Sequence, residues 1–442
     1  MMALPRMSFG EYNWTYTVQL PFLLVTAVVI TRWVLPRYRE EGCISVYEFL
    51  ERRINVSARL LASTAFVLLS IGRMGLVLYL PALALASVTG VNLVAAIVVM
   101  GVIVTIYTVL GGIRGVIWTD AIQVVIFVAG ALATLFFVFA PGVDFMAIAR
   151  QHNKFQTFIW SLDITRITTL WLILETLFQT IRIYATQQDM TQRYLAAEST
   201  RKANQSVWLA ILGYIPLGYL FYFIGTALFV YYTANPDPRV TQMAAEGKLD
   251  ALYAYFVVTR MPQGLAGLVI AAFVAAAQST ISSSMNSASA VCVEDFYKRF
   301  WGRGRSEDHY LRVARWLSVA WGILTIVMAI LFMRVEAAQI AWQKVMGIST
   351  CGVLGLMALA FLPRRVSAVA AIVGFAASYL SLFTMMYFLQ ITPKVALVTR
   401  LEKNTGINFL LWPVVTNLVC FGVALLVDRL VPRKENTPRR PE

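Results

Sequence analysis

The chain has 442 residues, of which 59% are hydrophobic and 14% are charged, and its mean hydropathy is +0.69. These values exclude an ordinary soluble globular domain, in which about 45–50% of residues are apolar and about 25% are charged. They predict a polytopic membrane protein. The formal net charge of +14 does not indicate a nucleic-acid partner, because the basic residues concentrate in alternate loops between apolar stretches.

Apolar stretches of about 18 residues or more, the length that crosses a bilayer as a helix, recur along the whole chain. Eleven such stretches are centred on 17–36, 59–86, 92–110, 116–139, 165–187, 206–232, 264–292, 313–333, 337–362, 366–390 and 406–427. Strands of an outer-membrane barrel alternate polar and apolar residues over about ten positions, which is not the pattern here. The sequence therefore predicts an all-α integral membrane protein with about eleven transmembrane helices.

The loops between these stretches divide into a basic set and a less basic set. The basic set comprises 37–59, 111–115, 193–202, 298–315, 364–365 and the C-terminal tail, and it holds twice as many lysines and arginines as the opposite set. Because basic loops stay on the cytoplasmic side, we expect a multi-pass protein of the cell membrane with a cytoplasmic C-terminus. An odd number of spans then places the N-terminus outside, although residues 1–14 do not resemble a signal peptide.

Four ionisable side chains fall inside predicted spans in the first half of the chain, where a buried charge costs about 2.5–3.5 kcal/mol or more. Arg73 lies near the middle of the second span, and its guanidinium either binds an anion or pairs with Glu175 or another buried acid. Asp120 either contributes to an ion site or caps a helix after the GGIRG turn. Glu175 and Arg182, with Gln179 between them, are also typical of a polar ladder turned toward the bundle interior.

A dense run of polar side chains occupies 271–290, which reads AAFVAAAQSTISSSMNSASA. On a helix, one face carries residues spaced at i, i+3, i+4 and i+7 with a further serine beside them: Ala276, Ser279, Thr280, Ser283 and Ser282. Neutral oxygens on one stripe can replace the hydration shell of a monovalent cation, whereas small and hydroxyl residues also let helices pack closely. We assign the cation role to this face and the packing role to three neighbours, Ser284, Ser287 and Ser289.

Several segments resemble the sodium:solute symporter family. AAAQSTISSSMNSASAVCVEDFYKRF resembles the serine-rich signature helix of that family, and further segments match its patterns in the expected order: VYEFLERR, LYLPALALASVTG, YTVLGGIRGVIWTDAIQ and QQDMTQRYLAAES. The resemblance implies a LeuT-like fold, in which two inverted repeats of five helices hold substrate and ions midway across the membrane.

The resemblance also implies how the chain is divided. It gives a single transmembrane transporter domain over 1–442, with 1–139 as the remainder of repeat one and 165–362 as repeat two. Residues 366–427 are then extra C-terminal helices, and 428–442 form a cytoplasmic tail. The first two helices of the family have no counterpart in this sequence. Two explanations for this difference are a start codon assigned too far downstream and a degraded paralogue.

For sodium, the resemblance implies a site between the serine-bearing helix and the first helix of repeat one. The ligands that map onto this sequence are the backbone of Ala276 and the hydroxyls of Ser279 and Thr280. A second sodium site, present in some members, maps to Ser279, Ser282 and Ser283 together with Asp120 of the IWTD stretch. Na⁺ is therefore expected as the coupling ion, and no other cofactor is expected.

For the substrate, the resemblance points to residues on three of the predicted spans. Arg73 resembles the arginine with which bacterial sialic acid symporters of this family bind the sugar's carboxylate. Gln19 falls close to a polar substrate contact of those proteins, and Phe178, Gln179 and Tyr184 lie where the fifth span is expected to be interrupted. The expected function is sodium-coupled import of a small organic solute, with an acidic sugar such as sialic acid or another organic anion as the substrate.

Alternative functions belong to other classes or to other substrates. The chain could be a symporter for a neutral sugar, a vitamin or an amino acid, or a transport-incompetent paralogue that acts as a membrane sensor or assembly partner. An enzyme is not expected, because neither paired catalytic acids nor a Ser/His constellation falls at membrane depth. The 4 cysteines and 2 histidines have no metal-binding spacing. The expected partners are Na⁺, the solute and the lipid bilayer.

Overall fold

The structure, a computed structural model, describes residues 3–10, 13–43, 45–139, 143–246, 249–333, 351–387 and 408–431. These residues form helices joined by loops, and no strand occurs among them. Within the described ranges, eight helices are long and apolar enough to cross a membrane. The all-α membrane architecture predicted from hydropathy is therefore confirmed.

Nine helices make up the first part of the chain. They are α1 (Ala3–Phe9), α2 (Gln19–Val29), α3 (Leu35–Glu40), α4 (Val46–Arg53), α5 (Val56–Thr89), α6 (Leu93–Val138), α7 (Phe145–Gln151), α8 (Thr169–Thr186) and α9 (Gln188–Leu195). A 3-10 turn at Thr15–Val18 leads into α2, and a π-helical turn at Ile30–Val34 joins α2 to α3. The segment Thr15–Glu40 is consequently one candidate span.

The second part of the described chain contains nine further helices. They are α10 (Thr200–Ala234), α11 (Pro238–Ala245), α12 (Leu252–Arg260), α13 (Gln263–Val291), α14 (Lys298–Phe300), α15 (Glu307–Phe332), α16 (Val353–Ala360), α17 (Ala368–Tyr387) and α18 (Trp412–Leu430). A π-helical turn at Cys292–Tyr297 joins α13 to α14, and 3-10 turns at Leu249–Ala251 and Phe409–Leu411 precede α12 and α18.

Polar caps mark where several of the long helices begin. The side chains of Asn55, Asn92 and Ser199 accept hydrogen bonds from the first-turn amides of α5, α6 and α10, which otherwise have no intrahelical partner. At its other end α5 stops at Gly90, whose φ of 74° is left-handed and favours glycine. Short polar signals in the sequence therefore set the limits of helices whose interiors are apolar.

One predicted turn is absent from the structure. The sequence analysis separated two spans, 92–110 and 116–139, by a turn at 111–115, but α6 is a single helix of 46 residues. Glycines permit a turn without requiring one, and a helix satisfies every backbone group within the segment. At 1.5 Å per residue α6 is about 69 Å long, more than twice a hydrocarbon core of about 30 Å. It therefore contains two apolar lengths, Leu93–Gly111 and Val124–Val138.

The predicted ninth span, 337–362, lies largely outside the described residues, and its final part corresponds to α16. The fifth predicted span, 165–187, corresponds to α8, which has 18 residues and carries several polar side chains. The division into 1–139, 165–362 and 366–427 stays a prediction.

The central packing unit is formed by α13 and α15 against α5 and α6. Glycine lets these helices approach closely, because a Cβ added at Gly75 of α5 would lie 2.5 Å from Met328 Cβ of α15, and one at Gly322 would lie 2.1 Å from Thr105 Oγ1. α2 packs on α8, α1 packs on α10, and α17 packs on α18. The serine-bearing helix α13 is thus enclosed on several sides.

Six charged residues form a terminal ionic cluster where α4, α5 and the end of α13 meet. Its members are Glu51, Arg59, Glu294, Asp295, Lys298 and Arg299. Arg59 donates to Asp295 Oδ1 from Nε at 2.8 Å and to Glu51 Oε2 at 2.7 Å; Arg299 also pairs with Glu51, and Lys298 lies 2.6 Å from Glu294. Asp295 is fully buried. Three positive and three negative side chains therefore balance each other at this end of the bundle.

Candidate functional site

A polar stripe on α8 faces its neighbours inside the bundle. Glu175, Gln179 and Arg182 are spaced at i, i+4 and i+7, so they share one face of the helix. Glu175 Oε2 accepts a hydrogen bond from Gln19 Nε2 of α2 at 3.0 Å. Arg182 Nε donates to Gln179 Oε1 at 3.0 Å. The stripe thus matches the polar ladder predicted from the sequence, and the hydrogen bond from Gln19 connects it to α2.

Arg73 of α5 forms an ion pair with a residue that the sequence analysis did not single out. Its Nη1 lies 2.8 Å from Oδ2 of Asp189 in α9, and the two side chains are 15% and 2% exposed. A guanidinium has five N–H donors, and this hydrogen bond engages one of them. Of the two alternatives for Arg73, the ion pair with a buried acid is the one present here, with Asp189 in place of Glu175.

Asp189 lies at the start of α9, a short helix whose buried face consists of Gln188, Asp189, Thr191 and Tyr194. From the sequence, this QQDMTQRY stretch has the polarity of a surface segment. The signal that could have located Asp189 is charge balance, because an arginine inside a span usually has a buried acidic partner. Because Asp189 and Arg73 are 116 residues apart in the sequence, no local pattern reveals that they form a pair.

The helical conformation is interrupted between α8 and α9 at Gln187, whose φ and ψ of −91° and 122° are extended. The interruption predicted from the sequence at Phe178, Gln179 and Tyr184 is wrong, because α8 is regular there. Three tyrosine hydroxyls donate to carbonyl oxygens of the last turn of α8: Tyr38 to Ala185 at 2.6 Å, Tyr47 to Thr186 at 2.9 Å, and Tyr194 to Tyr184. These hydroxyls replace hydrogen bonds that the break removes.

The predicted sodium face of α13 lies inside the helix bundle. Ser282 and Ser283 are buried, whereas Ala276, Ser279 and Thr280 are partly buried. Thr280 Oγ1 donates to Ala276 O at 3.3 Å, and Ser282 Oγ donates to Ser279 O at 3.0 Å. A hydroxyl that donates to its own helix keeps its lone pairs for another partner, so these oxygens can still act as ligands.

Two side chains of α9 reach the serines of α13. Arg193 Nη2 donates to Ser283 Oγ at 2.5 Å, and Gln192 Nε2 donates to Ser287 Oγ at 2.6 Å. A guanidinium therefore already contacts one predicted sodium ligand. The sequence analysis did not single out Arg193, because it assigned 193–202 to a loop.

The serines assigned to packing include two that bond to neighbouring helices. Ser287 accepts from Gln192 of α9, and Ser289 shares a hydrogen bond of 3.0 Å with Ser318 of α15. Both side chains are buried. These interhelical bonds agree with the packing role.

Asp120 lies within α6, which packs along α13. Its side chain is outside the described part of the structure. The alternative in which Asp120 caps a helix after a turn is wrong, because the helix runs through this position from Leu93 to Val138. In the ranges that the structure describes, no group of three His, Cys, Asp or Glu side chains could hold a metal ion.

The predicted substrate residues lie along α2, α5 and α8. Gln19 bonds to Glu175, Arg73 to Asp189 and Gln179 to Arg182, and Phe178 is partly buried. Arg182 interacts electrostatically with Arg73, Asp189 and Glu175, so it connects the groups on α5, α8 and α9. The structure therefore brings Gln19, Arg73 and Gln179 into one charged region, and it shows no such contact for Phe178.

Comparison with known proteins decides the family. The model of the sodium:solute symporter family matches residues 12–378. The chain belongs to the sodium:solute symporter family. Two bacterial members are similar over most of their length: the sodium/sialic acid symporter SiaT of Proteus mirabilis is 33% identical over 87% of this chain and 78% of its own, and the sodium/sialic acid symporter NanT of Aliivibrio fischeri is 30% identical over 99% and 83%.

Other family members and solved structures extend the comparison. The human sodium-coupled monocarboxylate transporter 1 is 33% identical over 81% of this chain, which spans 59% of that protein. The solved outward-open, substrate-bound structure of a Na⁺-coupled sialic acid symporter has a TM-score of 0.82 at 28% identity, over 98% of this chain and 86% of its own. MHP1, a nucleobase-cation-symport-1 family transporter, has a TM-score of 0.59 at 14% identity, which shows the fold alone. The expected LeuT-like transporter fold is confirmed for this symporter-family chain.

Proposed function

We propose that the chain is a sodium-coupled symporter that imports an acidic sugar, with sialic acid as the best representative of the substrate class. The observation that supports the proposal is the placement of two chemically different groups of side chains on packed helices. The guanidinium group of Arg73 on α5 suits a carboxylate, and neutral hydroxyls on α13 suit a desolvated Na⁺. The similarity to SiaT and NanT, named as sodium/sialic acid symporters, supports this pairing.

The proposed residue roles follow this separation. Sodium ligands are drawn from Ala276, Ser279, Thr280, Ser282 and Ser283, with the Asp120 carboxylate as the countercharge. The proposed substrate contacts are Arg73, Gln19, Phe178 and Gln179. The protein lies in the cell membrane with its C-terminus in the cytoplasm, because the loops on that side carry most of the basic residues. Sodium and substrate binding raise each other's affinity by the same factor.

The test is uptake by the full-length chain in proteoliposomes with an inward sodium gradient. Radiolabelled N-acetylneuraminate should accumulate, and accumulation should stop when potassium replaces sodium on both sides. Equal uptake in sodium and potassium would contradict sodium coupling. Sodium-dependent binding without uptake would instead favour the sensor or assembly-partner alternative.

A monocarboxylate is the second substrate candidate, because the human monocarboxylate transporter is 33% identical to this chain and the same guanidinium chemistry binds its anions. Sodium-dependent uptake of lactate, N-acetylneuraminate and glucose should therefore be measured in parallel. Uptake of lactate without N-acetylneuraminate would identify the monocarboxylate class, and uptake of glucose would identify the neutral-sugar alternative.

A further inference from the structure

Arg182 on α8 has a buried hydrogen-bond donor to which no other described residue bonds. Its side chain is 2% exposed, and its Nε is held by Gln179 Oε1. The Nη2 group is buried and has no hydrogen-bond partner among the described residues. Buried donors in proteins are usually paired, so an unpaired guanidinium nitrogen calls for a partner of opposite charge.

Within the described residues, the two guanidinium groups of Arg73 and Arg182 have one carboxylate, Asp189, in a hydrogen-bonded ion pair. Arg73 and Arg182 both interact electrostatically with Asp189, but Asp189 forms its hydrogen bond with Arg73 at 2.8 Å. No hydrogen bond joins Arg182 to Asp189 among the described residues, and Nη2 of Arg182 and Oδ1 of Asp189 both lack a partner there. Within the described chain, that carboxylate is therefore hydrogen-bonded to Arg73 and not to Arg182.

Glu175 does not fill this role at close range. It lies seven residues before Arg182, which is about 10 Å along the helix axis, and its Oε2 accepts from the neutral amide of Gln19. A monoanion placed beside Arg182 Nη2 would give the unpaired donor a hydrogen-bond partner of opposite charge.

We propose that Arg182 is a second anion-binding residue of the substrate site and that it donates from Nη2 to the substrate's carboxylate, next to Arg73. Arg73 alone would present little net charge, because Asp189 offsets it. With Arg182 the site attracts a monoanion and discriminates against a neutral analogue of the same shape. This inference rests on the proposed function, since it specifies which groups recognise the acid.

The test measures selectivity, which a purely structural role would not change. The full-length chain is purified in saturating sodium, and the Kd of N-acetylneuraminate is compared with the Kd of its methyl ester. The wild type should prefer the acid by about 10- to 100-fold, the usual range for hydrogen bonds to a charged group. If the wild type does not bind the acid at all, the proposed function fails, and the inference fails with it.

Arg182→Gln should reduce this preference to about threefold or less while leaving the affinity for the ester nearly unchanged. Arg182→Lys keeps the charge without the planar fork and should show an intermediate preference. Arg166→Gln, which removes an arginine that is 82% exposed just before α8, is the matched control and should keep the wild-type preference.

Two results would overturn the inference while the proposed function stands. The first is an unchanged preference in Arg182→Gln. The second is an equal loss of affinity for the acid and the ester, which indicates a structural role. If Arg182→Gln cannot be purified, Arg182→Lys decides: a fall in the preference of at least threefold supports the inference, and an unchanged preference overturns it.

Discussion

The terminal ionic cluster and the region around Arg73 and Arg182 use the same kinds of side chain with opposite results. In the terminal cluster three cations meet three carboxylates, and Arg59 alone reaches both Glu51 and Asp295. Around Arg73 the described residues place two guanidinium groups near one ion-paired carboxylate, Asp189, and Arg182 keeps an unpaired nitrogen. A balanced cluster holds helices together, whereas an unbalanced one at membrane depth is prepared for a charged ligand.

The largest expected effect comes from a substitution that disrupts the terminal ionic cluster. Asp295→Asn removes the buried carboxylate from Arg59, whose side chain is 11% exposed, and it should cost about 3 kcal/mol because the cluster then holds three cations against two carboxylates, with Arg59 and Arg299 both depending on Glu51. The measurement is the thermal midpoint in detergent. The control is Glu198→Gln, which breaks a pair whose side chains are 81% and 61% exposed and should change stability by less than about 1 kcal/mol. Equal midpoints for the two variants would contradict the structural role of the terminal ionic cluster.

The second effect tests the ion pair in the unbalanced region. Arg73→Gln and Asp189→Asn should each lower the thermal midpoint, since each leaves the other group without its partner. The double variant should be less destabilised than the sum of the two, with a coupling of about 1–3 kcal/mol. A strictly additive double-mutant cycle would show that the pair contributes nothing.

The third effect separates two serines of α13. Ser283→Ala should lower the affinity for sodium roughly tenfold, because it removes one proposed oxygen ligand. Ser287→Ala is the matched control: it lies one turn away, is also buried and bonds to Gln192. The sodium dependence of thermal stabilisation gives both affinities. A larger loss of sodium affinity in Ser287→Ala than in Ser283→Ala would indicate that the ion site lies about one turn farther along α13.

The smallest effect concerns the cation that already contacts Ser283. Arg193 donates to Ser283 Oγ at 2.5 Å, and a fixed positive charge close to a cation site weakens binding of the ion. Arg193→Gln should therefore raise the sodium affinity by about twofold to fivefold, a change below about 1 kcal/mol. Its neutral neighbour Gln192, changed to Leu, should not do so. A lower sodium affinity in Arg193→Gln would indicate that Arg193 orients the ligand.

The sequence predicted the membrane fold well because hydropathy depends on composition over about 20 residues. The predictions from the sequence were wrong where the backbone geometry depends on a few residues. The glycines at 111–115 indicated a turn, but the backbone stays helical through them. The break after α8 was expected near Phe178 and occurs at Gln187, where the carbonyls meet tyrosines from distant helices.

The candidate site was predicted in part for a similar reason. Arg73 and the serines of α13 stand out because polar groups at membrane depth are rare. Their partners Asp189 and Arg193 lie in a short polar helix, where charges are ordinary, and only the fold brings them to α5 and α13. The pairing of Gln19 with Glu175, 156 residues apart, is equally invisible in a local pattern.

The three tyrosines at the end of α8 have a consequence for motion. Tyr38 and Tyr47 belong to α3 and α4, so their hydroxyls fasten the last turn of α8 to that part of the bundle. Tyr194 belongs to α9 and bonds back to the same turn. Asp189 and Arg193 both belong to α9, so a displacement of α9 about Gln187 would have to break the Tyr194 hydrogen bond and would separate Asp189 from Arg73 and Arg193 from Ser283 together. One joint would then release a substrate arginine and a sodium ligand in a single movement.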